Sequence, residues 1–161
     1  MMAENTLSVL AGVVETLEKA GVRTWLFGGW AEDLLGLRPP GPHGDIDLLY
    51  PAEDFGLLDE FLRVQAGAEE ILAKRFLHKR AFRWQDVRVE VFLVRREAAG
   101  LETDFFGLHR LLWPDDTLSQ TLRLEGRELA AASPAALRLY RARHGVVEQA
   151  YRRYVAQRGA A

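Results

Sequence analysis

Residues 26–50 read LFGGWAEDLLGLRPPGPHGDIDLLY, and this stretch decides how the chain folds. The apolar segment Arg23–Phe27 predicts a strand that stops at the flexible pair Gly28-Gly29. Trp30–Leu37 has helical spacing of its apolar residues and runs into a turn rich in proline and glycine. Asp45–Tyr50 predicts a second strand. The stretch therefore predicts a strand–helix–strand unit.

The second strand carries two acids, Asp45 and Asp47. Because side chains alternate along a strand, both acids share one face, while Ile46 and Leu48 enter the core on the other. Neighbouring carboxylates repel each other and are stabilised by a shared cation. Oxygen-only ligation suits Mg²⁺ or Mn²⁺ and not zinc. The alternative for this pair alone is a solvated strand face, which acids commonly occupy.

A third acid, Glu90, lies in the β-rich segment Val87–Val94, on the face opposite its valines. If this strand pairs with the first acidic strand, Glu90 joins Asp45 and Asp47. The three could hold one or two metals, or two could hold metal while the third acts as a base. Otherwise Glu90 pairs with Arg80 or Arg88, or faces solvent.

The glycine pair Gly28-Gly29 is a candidate phosphate site. Glycine lets backbone approach a phosphate closely, and a helix start offers free N–H groups. A plain strand-to-helix turn explains Gly28-Gly29 alone equally well. A phosphate cradle beside a divalent-metal site is what nucleotidyl transfer from a nucleoside triphosphate requires.

The remaining pattern predicts an α+β fold with an α/β-like start, in which helices cover a mixed sheet and a C-terminal helix closes the chain. The expected elements are a helix from residue 7 capped by Asn5 or Thr6, a helix from Pro51 to Val64, strands at Ile71–Leu77 and Arg80–Trp84, a turn at Gln85-Asp86, a short helix or irregular lid in Arg95–Trp113, a hairpin over Thr121–Leu129 turning at Glu125-Gly126, and a helix from Ser133-Pro134 to Gln157.

The length predicts one domain over residues 1–161. Within it we expect a catalytic core in 1–95 and an acceptor side, with the hairpin and the C-terminal helix, in 96–161. The net charge of −2 argues against nucleic acid as a partner. The absence of cysteine excludes disulfides and thiolate metal sites. No signal peptide or membrane-length apolar run is recognisable, so the expected location is cytoplasmic, without a membrane partner.

Residues 26–38 together with 43–48 resemble the signature of the polymerase-β-type nucleotidyltransferases. Within that superfamily the stretch is most similar to the group of aminoglycoside 2″-adenylyltransferases and lincosamide nucleotidyltransferases. The shared features are Gly-Gly-Trp-Ala, Asp33 three residues after the tryptophan, a Leu-Gly turn, and a histidine before Asp-x-Asp.

The resemblance implies roles for six residues. Asp45 and Asp47 would bind Mg²⁺ on the triphosphate of ATP or another NTP, and Gly28-Gly29 would hold its β- and γ-phosphates. Glu90 would complete the metal site or take the proton of the acceptor. His43 would contact phosphate or the acceptor, although it could instead bond backbone and fix its turn. Apart from the resemblance, Arg38 could meet the triphosphate, or it could equally be a surface arginine at a helix end.

The implied function is metal-dependent transfer of AMP, or another NMP, to a hydroxyl of a small molecule such as an aminoglycoside- or lincosamide-like antibiotic. The acids Asp104, Asp115 and Asp116 could receive a cationic acceptor or form a solvated loop. Relatives often carry a Lys-Asp pair in the C-terminal helix, where this chain has Arg141 to Gly145. Arg141 or Arg143 could supply the lysine's charge, but the acid is missing.

Two other functions fit the same pattern. One is a nucleotide-binding protein that has lost transfer chemistry. The other is a toxin–antitoxin-type nucleotidyltransferase that modifies protein or tRNA. A homodimer could complete the cleft of so short a chain.

Overall fold

The computed structural model describes residues 6–159. It opens with α1 (Leu7–Lys19), β1 (Trp25–Phe27), α2 (Gly28–Leu34), β2 (Asp45–Pro51) and α3 (Gly56–Val64). Thr6 caps α1, since its side chain accepts a hydrogen bond from the amide of Val9. The alternative cap, Asn5, lies outside the described residues.

The middle of the chain is almost entirely strand. It contains β3 (Ala68–Glu70), a single 3₁₀ turn (Leu72–Lys74), β4 (Lys79–Trp84), β5 (Val87–Glu97), β6 (Gly100–Phe105) and β7 (His109–Leu112). The chain then forms the hairpin of β8 (Gln120–Leu124) and β9 (Arg127–Ala131), followed by the long helix α4 (Pro134–Gly159). Ser133 caps α4 by accepting from the amide of Ala136 at 3.1 Å.

The strands form one mixed sheet in the order β3-β4-β5-β2-β1-β9-β8, and β6 and β7 extend it from the far end of β5. The central pair β2 and β5 is parallel, as is β1 with β9, and the other pairs are antiparallel. The predicted mixed sheet with covering helices and a C-terminal helix is therefore confirmed.

Apolar side chains of the helices and of the strands form one core. The inward face of α1 contributes residues that are almost completely buried, namely Leu10, Val13, Val14 and Leu17. On β2, Ile46 and Leu48 are fully buried while the alternating acids Asp45 and Asp47 are not, as alternation predicts. Within residues 6–159, no helix combines the length and the apolar character needed to span a bilayer.

Three predicted elements are wrong. Pro51 does not open a helix but ends β2, where it lies opposite Val94; α3 begins five residues later. Ile71–Leu77 is not a strand, because its apolar residues Leu72 and Leu77 are exposed and give the segment no buried face. Arg95–Trp113 is neither a helix nor an irregular lid.

That last segment is the hairpin of β6 and β7. In β6 the residues Leu101, Thr103 and Phe105 are buried and alternate with less buried neighbours. The buried Thr103 accepts a hydrogen bond from the indole of Trp113 at 2.8 Å. Packing of this face against the rest of the protein makes the segment a hairpin.

Candidate active site

Parallel pairing of β2 with β5 brings the three acids together. Asp47 lies opposite Glu90 in the register, and Asp45 lies opposite Arg88. One oxygen from each of Asp45, Asp47 and Glu90 falls within 4.8 Å of the others. The strand pairing on which the sequence argument for Glu90 depended is therefore present.

Asp47 is the carboxylate most affected by this clustering. Burial, followed by the charges of Glu90 and Asp45, raises the pKa of Asp47 to about 7. The ionised side chain is thus unfavourable unless a cation compensates it. A divalent cation bound among the three carboxylates would supply that compensation.

Glu90 already has cationic neighbours. Lys79 Nζ lies 2.8 Å from Glu90 Oε2, and Lys74 Nζ lies 3.0 Å from Oε1. Burial alone would raise the pKa of Glu90, but the two lysines lower it below its usual value. The sequence suggested Arg80 or Arg88 as a partner of Glu90. Arg88 Nε lies 3.4 Å from Glu90 Oε1. Arg80 instead binds Asp59.

Arg88 also binds Asp45. Its Nε and Nη2 atoms donate to the two carboxylate oxygens of Asp45 at 2.9 and 2.7 Å. The pKa of Arg88 is raised, first by this hydrogen bonding. Lysine and arginine side chains therefore surround the acidic cluster on the β4 and β5 side.

The glycine pair lies against the acids because β1 is the antiparallel neighbour of β2. Phe27 pairs with Asp47, and α2 begins immediately afterwards, at Gly28. Gly28 has a φ of +65°, and a Cβ there would contact Asp47 Oδ2 and lie 3.0 Å from Asp47 Cβ. The helix thus starts two residues earlier than predicted, and only glycine allows its first turn so close to a carboxylate.

His43 is fixed by a carboxylate and not by backbone. Its Nε2 lies 2.8 Å from Asp33 Oδ2, and its ring packs on Trp30 at a centroid distance of 4.3 Å. A Cβ on Gly29 would lie 2.9 Å from His43 Nδ1. The histidine therefore forms part of the wall around the glycine pair.

Arg38 lies on the same side of the site. Its Nη1 is 3.9 Å from Glu32 Oε1, and its side chain is 44% exposed. A Cβ on Gly29 would lie 3.7 Å from Arg38 Nη1. The guanidinium is thus near the glycine pair and remains accessible to a ligand.

Several residues of the site have no local sequence signal. Glu32 is buried on α2, and its two carboxylate oxygens accept hydrogen bonds from Nε and Nη2 of Arg141 of α4. Arg141 is one of the two residues considered as a substitute for the missing lysine. Tyr140 packs edge-on against Phe27 with ring centroids 5.0 Å apart. These contacts join residues more than a hundred positions apart, so spacing along the chain could not reveal them.

Two clefts meet at Gly28. The larger, about 590 Å³, extends from Gly28 and the three acids to an aromatic wall. The smaller, about 400 Å³, lies over Gly28, Gly29, Glu32 and Arg141. Asp104, Asp115 and Asp116 line neither cleft, and Asp116 accepts a hydrogen bond from Ser133. The idea that these acids receive a cationic acceptor is therefore not supported.

Solved structures that resemble this fold include two antibiotic adenylyltransferases. Lincosamide antibiotic adenylyltransferase LnuA, solved with lincomycin bound, is 17% identical with a TM-score of 0.69, covering 86% of this chain and 87% of that chain. ANT(2″)-Ia in complex with adenylyl-2″-tobramycin is 17% identical with a TM-score of 0.64, covering 96% and 90%. The protein therefore has the nucleotidyltransferase fold, as predicted.

The family model of the aminoglycoside-2″-adenylyltransferases matches residues 9–131. The chain belongs to this family, and the prediction of an enzyme of the nucleotidyltransferase class is confirmed. No curated protein sequence matches the chain.

Proposed function

We propose that the protein transfers AMP, or another NMP, from an NTP to a hydroxyl of a small molecule in a metal-dependent reaction. The observation that carries this proposal is the convergence of Asp45, Asp47 and Glu90 within 4.8 Å, directly beside the glycine pair. Membership in a family of adenylyltransferases supports the same reaction.

The donor set fits Mg²⁺ or Mn²⁺. It consists of carboxylate oxygens, which hard divalent cations prefer. The raised pKa of Asp47 indicates a deficit of positive charge that such an ion would remove. Asp45, Asp47 and Glu90 would hold the metal, which would neutralise charge on the phosphates.

The nucleotide would bind on the β1 and α2 side of the acids. Gly28 and Gly29 lack the Cβ atoms that would narrow this space, so backbone amides can approach a phosphate. Arg38, half-exposed beside Gly29, would add a positive charge to the triphosphate site. His43 would contact phosphate or position the glycine pair through its bond to Asp33.

In the reaction, the acceptor hydroxyl oxygen would form a bond to the α-phosphorus of the NTP. The bond between that phosphorus and the bridging oxygen would break, releasing pyrophosphate. The two lysines that lower the pKa of Glu90 favour its binding metal over its accepting a proton. The hydroxyl proton would then leave to water.

The same geometry supports a division of the chain into two parts. Residues 1–95 would form the catalytic core, because they contain the three acids and the glycine pair. Residues 96–161 would form the acceptor side, with Phe105, Phe106 and Tyr151 in the wall of the larger cleft. The whole chain, 1–161, would then work as one domain.

The proposal is tested by calorimetric titration of ATP with and without Mg²⁺. We expect wild type to bind ATP in a Mg²⁺-dependent manner and Asp45→Asn/Asp47→Asn to lose this binding. Asp86→Asn, in the β4–β5 turn, is a matched carboxamide control and should bind as wild type does. Absence of metal-dependent nucleotide binding in wild type would overturn the proposal.

Two further measurements distinguish the proposed function from the two alternatives, namely release of pyrophosphate and transfer of label. Nucleotide binding without pyrophosphate release across a panel of hydroxyl acceptors would favour a protein that has lost transfer chemistry. Transfer of label from radiolabelled ATP to protein or tRNA, and not to small molecules, would favour the toxin–antitoxin type.

A further inference from the structure

The two clefts share a boundary beside the acidic cluster. Both glycines of the pair line the smaller cleft, and the three acids line the larger one. A nucleotide with its β- and γ-phosphates at the glycines and its metal at the acids therefore crosses this boundary. Its α-phosphate lies there, because the metal must reach the phosphoryl group that is transferred in order to stabilise its charge.

Four residues line both clefts and so mark the boundary, namely Phe27, Gly28, Tyr140 and His144. Two of them, Tyr140 and His144, have polar side chains that could contact a phosphate. Both lie on α4, one helical turn apart, with ring centroids 6.3 Å from each other. His144 is exposed, whereas Tyr140 is partly buried.

Tyr140 covers the face of the sheet that carries the acids. Asp47 lies opposite Phe27 on β1 and opposite Glu90 on β5, so these side chains point to one face. Phe92 follows Glu90 by two residues and shares that face. The Tyr140 ring packs against both aromatic neighbours, with centroids 5.0 Å from Phe27 and 6.2 Å from Phe92. Tyr140 therefore lies beside the acidic cluster.

The core fixes the position of the Tyr140 ring. Besides the two rings on the central strands, it packs against Phe105 and Trp113, whose centroids lie 6.1 and 6.2 Å away. A ring held by four aromatic neighbours loses little further freedom when its polar end binds a ligand. At the boundary of the clefts, Tyr140 is thus a polar group that the fold holds in place.

The hydroxyl of Tyr140 is available to a ligand. Within residues 6–159 it forms no hydrogen bond, although the hydroxyl of a largely buried tyrosine usually has a partner. It is also not one of the fully buried polar atoms that lack a partner, so it opens into the cleft. An unpaired hydroxyl on a fixed ring is the kind of group that a ligand satisfies.

The surrounding charge keeps this hydroxyl a donor. Burial, followed by the negative charges of Asp47 and Glu90, raises the pKa of Tyr140 above its ordinary value. The hydroxyl is therefore protonated at neutral pH. A neutral O–H group can donate to a phosphate oxygen, which is a charged acceptor and makes a strong hydrogen bond.

We propose that the Tyr140 hydroxyl donates a hydrogen bond to a non-bridging oxygen of the α-phosphate, the group that is transferred. This inference rests on the proposed function, because it takes the glycine pair and the acids as the site of the nucleotide and its metal. The bond fixes the phosphorus at the boundary of the two clefts and stabilises negative charge on its oxygens.

The first test is calorimetric titration of the full chain with α,β-methylene-ATP and Mg²⁺. This analogue keeps the non-bridging α-phosphate oxygens and cannot release pyrophosphate. We expect Tyr140→Phe, which removes only the hydroxyl, to raise the Kd at least about fivefold. Tyr154→Phe removes a hydroxyl from the same helix but outside both clefts, and should bind as wild type does. An unchanged Kd in Tyr140→Phe overturns the inference.

Phosphorus NMR of the bound analogue locates the contact. At saturation, the resonance of the α-phosphorus should differ between wild type and Tyr140→Phe, while that of the γ-phosphorus should be the same. A change at the γ-phosphorus as large as that at the α-phosphorus overturns the inference, because the hydroxyl would then act elsewhere or through the fold.

Urea denaturation of the free protein separates binding from a structural role. The midpoint of Tyr140→Phe should equal that of wild type, since the hydroxyl has no partner within residues 6–159. A lowered midpoint would show that the hydroxyl bonds within the protein, and would overturn the inference.

Failure of the inference is distinguishable from failure of the proposed function. Absence of Mg²⁺-dependent nucleotide binding in wild type removes both. Mg²⁺-dependent binding that is equally tight in wild type and Tyr140→Phe removes the role of Tyr140 and leaves the proposed nucleotidyl transfer intact.

Discussion

Arg141 of α4 binds the buried Glu32 of α2 with two guanidinium nitrogens, one of them at 2.6 Å from Glu32 Oε1. The bond ties the helix that starts at the glycine pair to the helix that closes the chain. The Arg141 side chain is 61% exposed, whereas the Glu32 side chain is 11% exposed. Loss of the arginine would leave a carboxylate that water reaches poorly.

We expect Arg141→Ala to lower the free energy of unfolding by about 1–2 kcal/mol, since a largely buried acceptor loses its charged donor. Urea denaturation measures the change. Arg143→Ala, exposed on the same helix, should change stability by less than about 0.5 kcal/mol. A double-mutant cycle with Glu32→Gln that shows no coupling would contradict this account.

Gly28→Ala should destabilise the fold and abolish nucleotide binding. The new Cβ would meet the Asp47 side chain at a position whose φ is +65°. Gly126→Ala separates the two effects, because Gly126 also has a positive φ, +79°, but a Cβ there meets no atom within 4 Å. Gly126→Ala should cost about 1 kcal/mol, the backbone strain alone, and Gly28→Ala clearly more. Equal losses in urea denaturation would rule out the steric explanation.

Asp47→Asn should stabilise the metal-free protein at alkaline pH. Because the pKa of Asp47 is about 7 in the fold and 3.8 is its usual value, the fold favours the protonated carboxyl. Its contribution to stability is complete below pH about 4 and is lost as pH rises through 7. We expect the variant to exceed wild type by about 2–4 kcal/mol at pH 8 in EDTA.

Denaturation at pH 4 and pH 8 checks this expectation. The difference between Asp47→Asn and wild type should nearly vanish at pH 4. Adding Mg²⁺ at pH 8 should stabilise wild type and leave the variant unchanged. A variant no more stable than wild type at pH 8 would contradict the claim that burial and the neighbouring carboxylates raise the pKa of Asp47.

His78 should make the protein sensitive to acid. Burial, and then the charge of Lys79, lowers the pKa of His78 to about 3 from 6.5. The folded state keeps the ring neutral while the unfolded chain binds a proton, so stability falls as pH drops from about 6.5 towards 3. One proton corresponds to about 1.4 kcal/mol per pH unit.

The variant His78→Gln isolates this contribution, since its side-chain oxygen can still accept from the Phe106 amide, as His78 Nδ1 does. Between pH 6 and pH 4, its stability should fall less steeply than that of wild type by about 1.4 kcal/mol per pH unit. Denaturation curves across this range measure both slopes. Parallel slopes would show that the ring is not kept neutral by the fold.

Local features of the site could be predicted from the sequence. The shared face of Asp45 and Asp47 follows from alternation along one strand, and the break at Gly28-Gly29 follows from the backbone freedom of glycine. The turn at Gln85-Asp86 was predicted because it lies between two β-rich segments, and both residues have positive φ. The predicted helix start at Pro51 was wrong because proline suits a strand end as well as a first helical turn.

Tertiary structure decided which residues meet. The sequence alone determined the residue types, the glycine pair and the common face of two acids, because neighbours in a strand or turn are positioned by local geometry. Only the parallel pairing of β2 with β5 placed Glu90 beside Asp47. Lys74 and Lys79 reach Glu90, and Arg141 reaches Glu32, only because the 3₁₀ turn, β4 and α4 pack against the site. Such contacts join distant segments, and they form because burial of a common core brings those segments together.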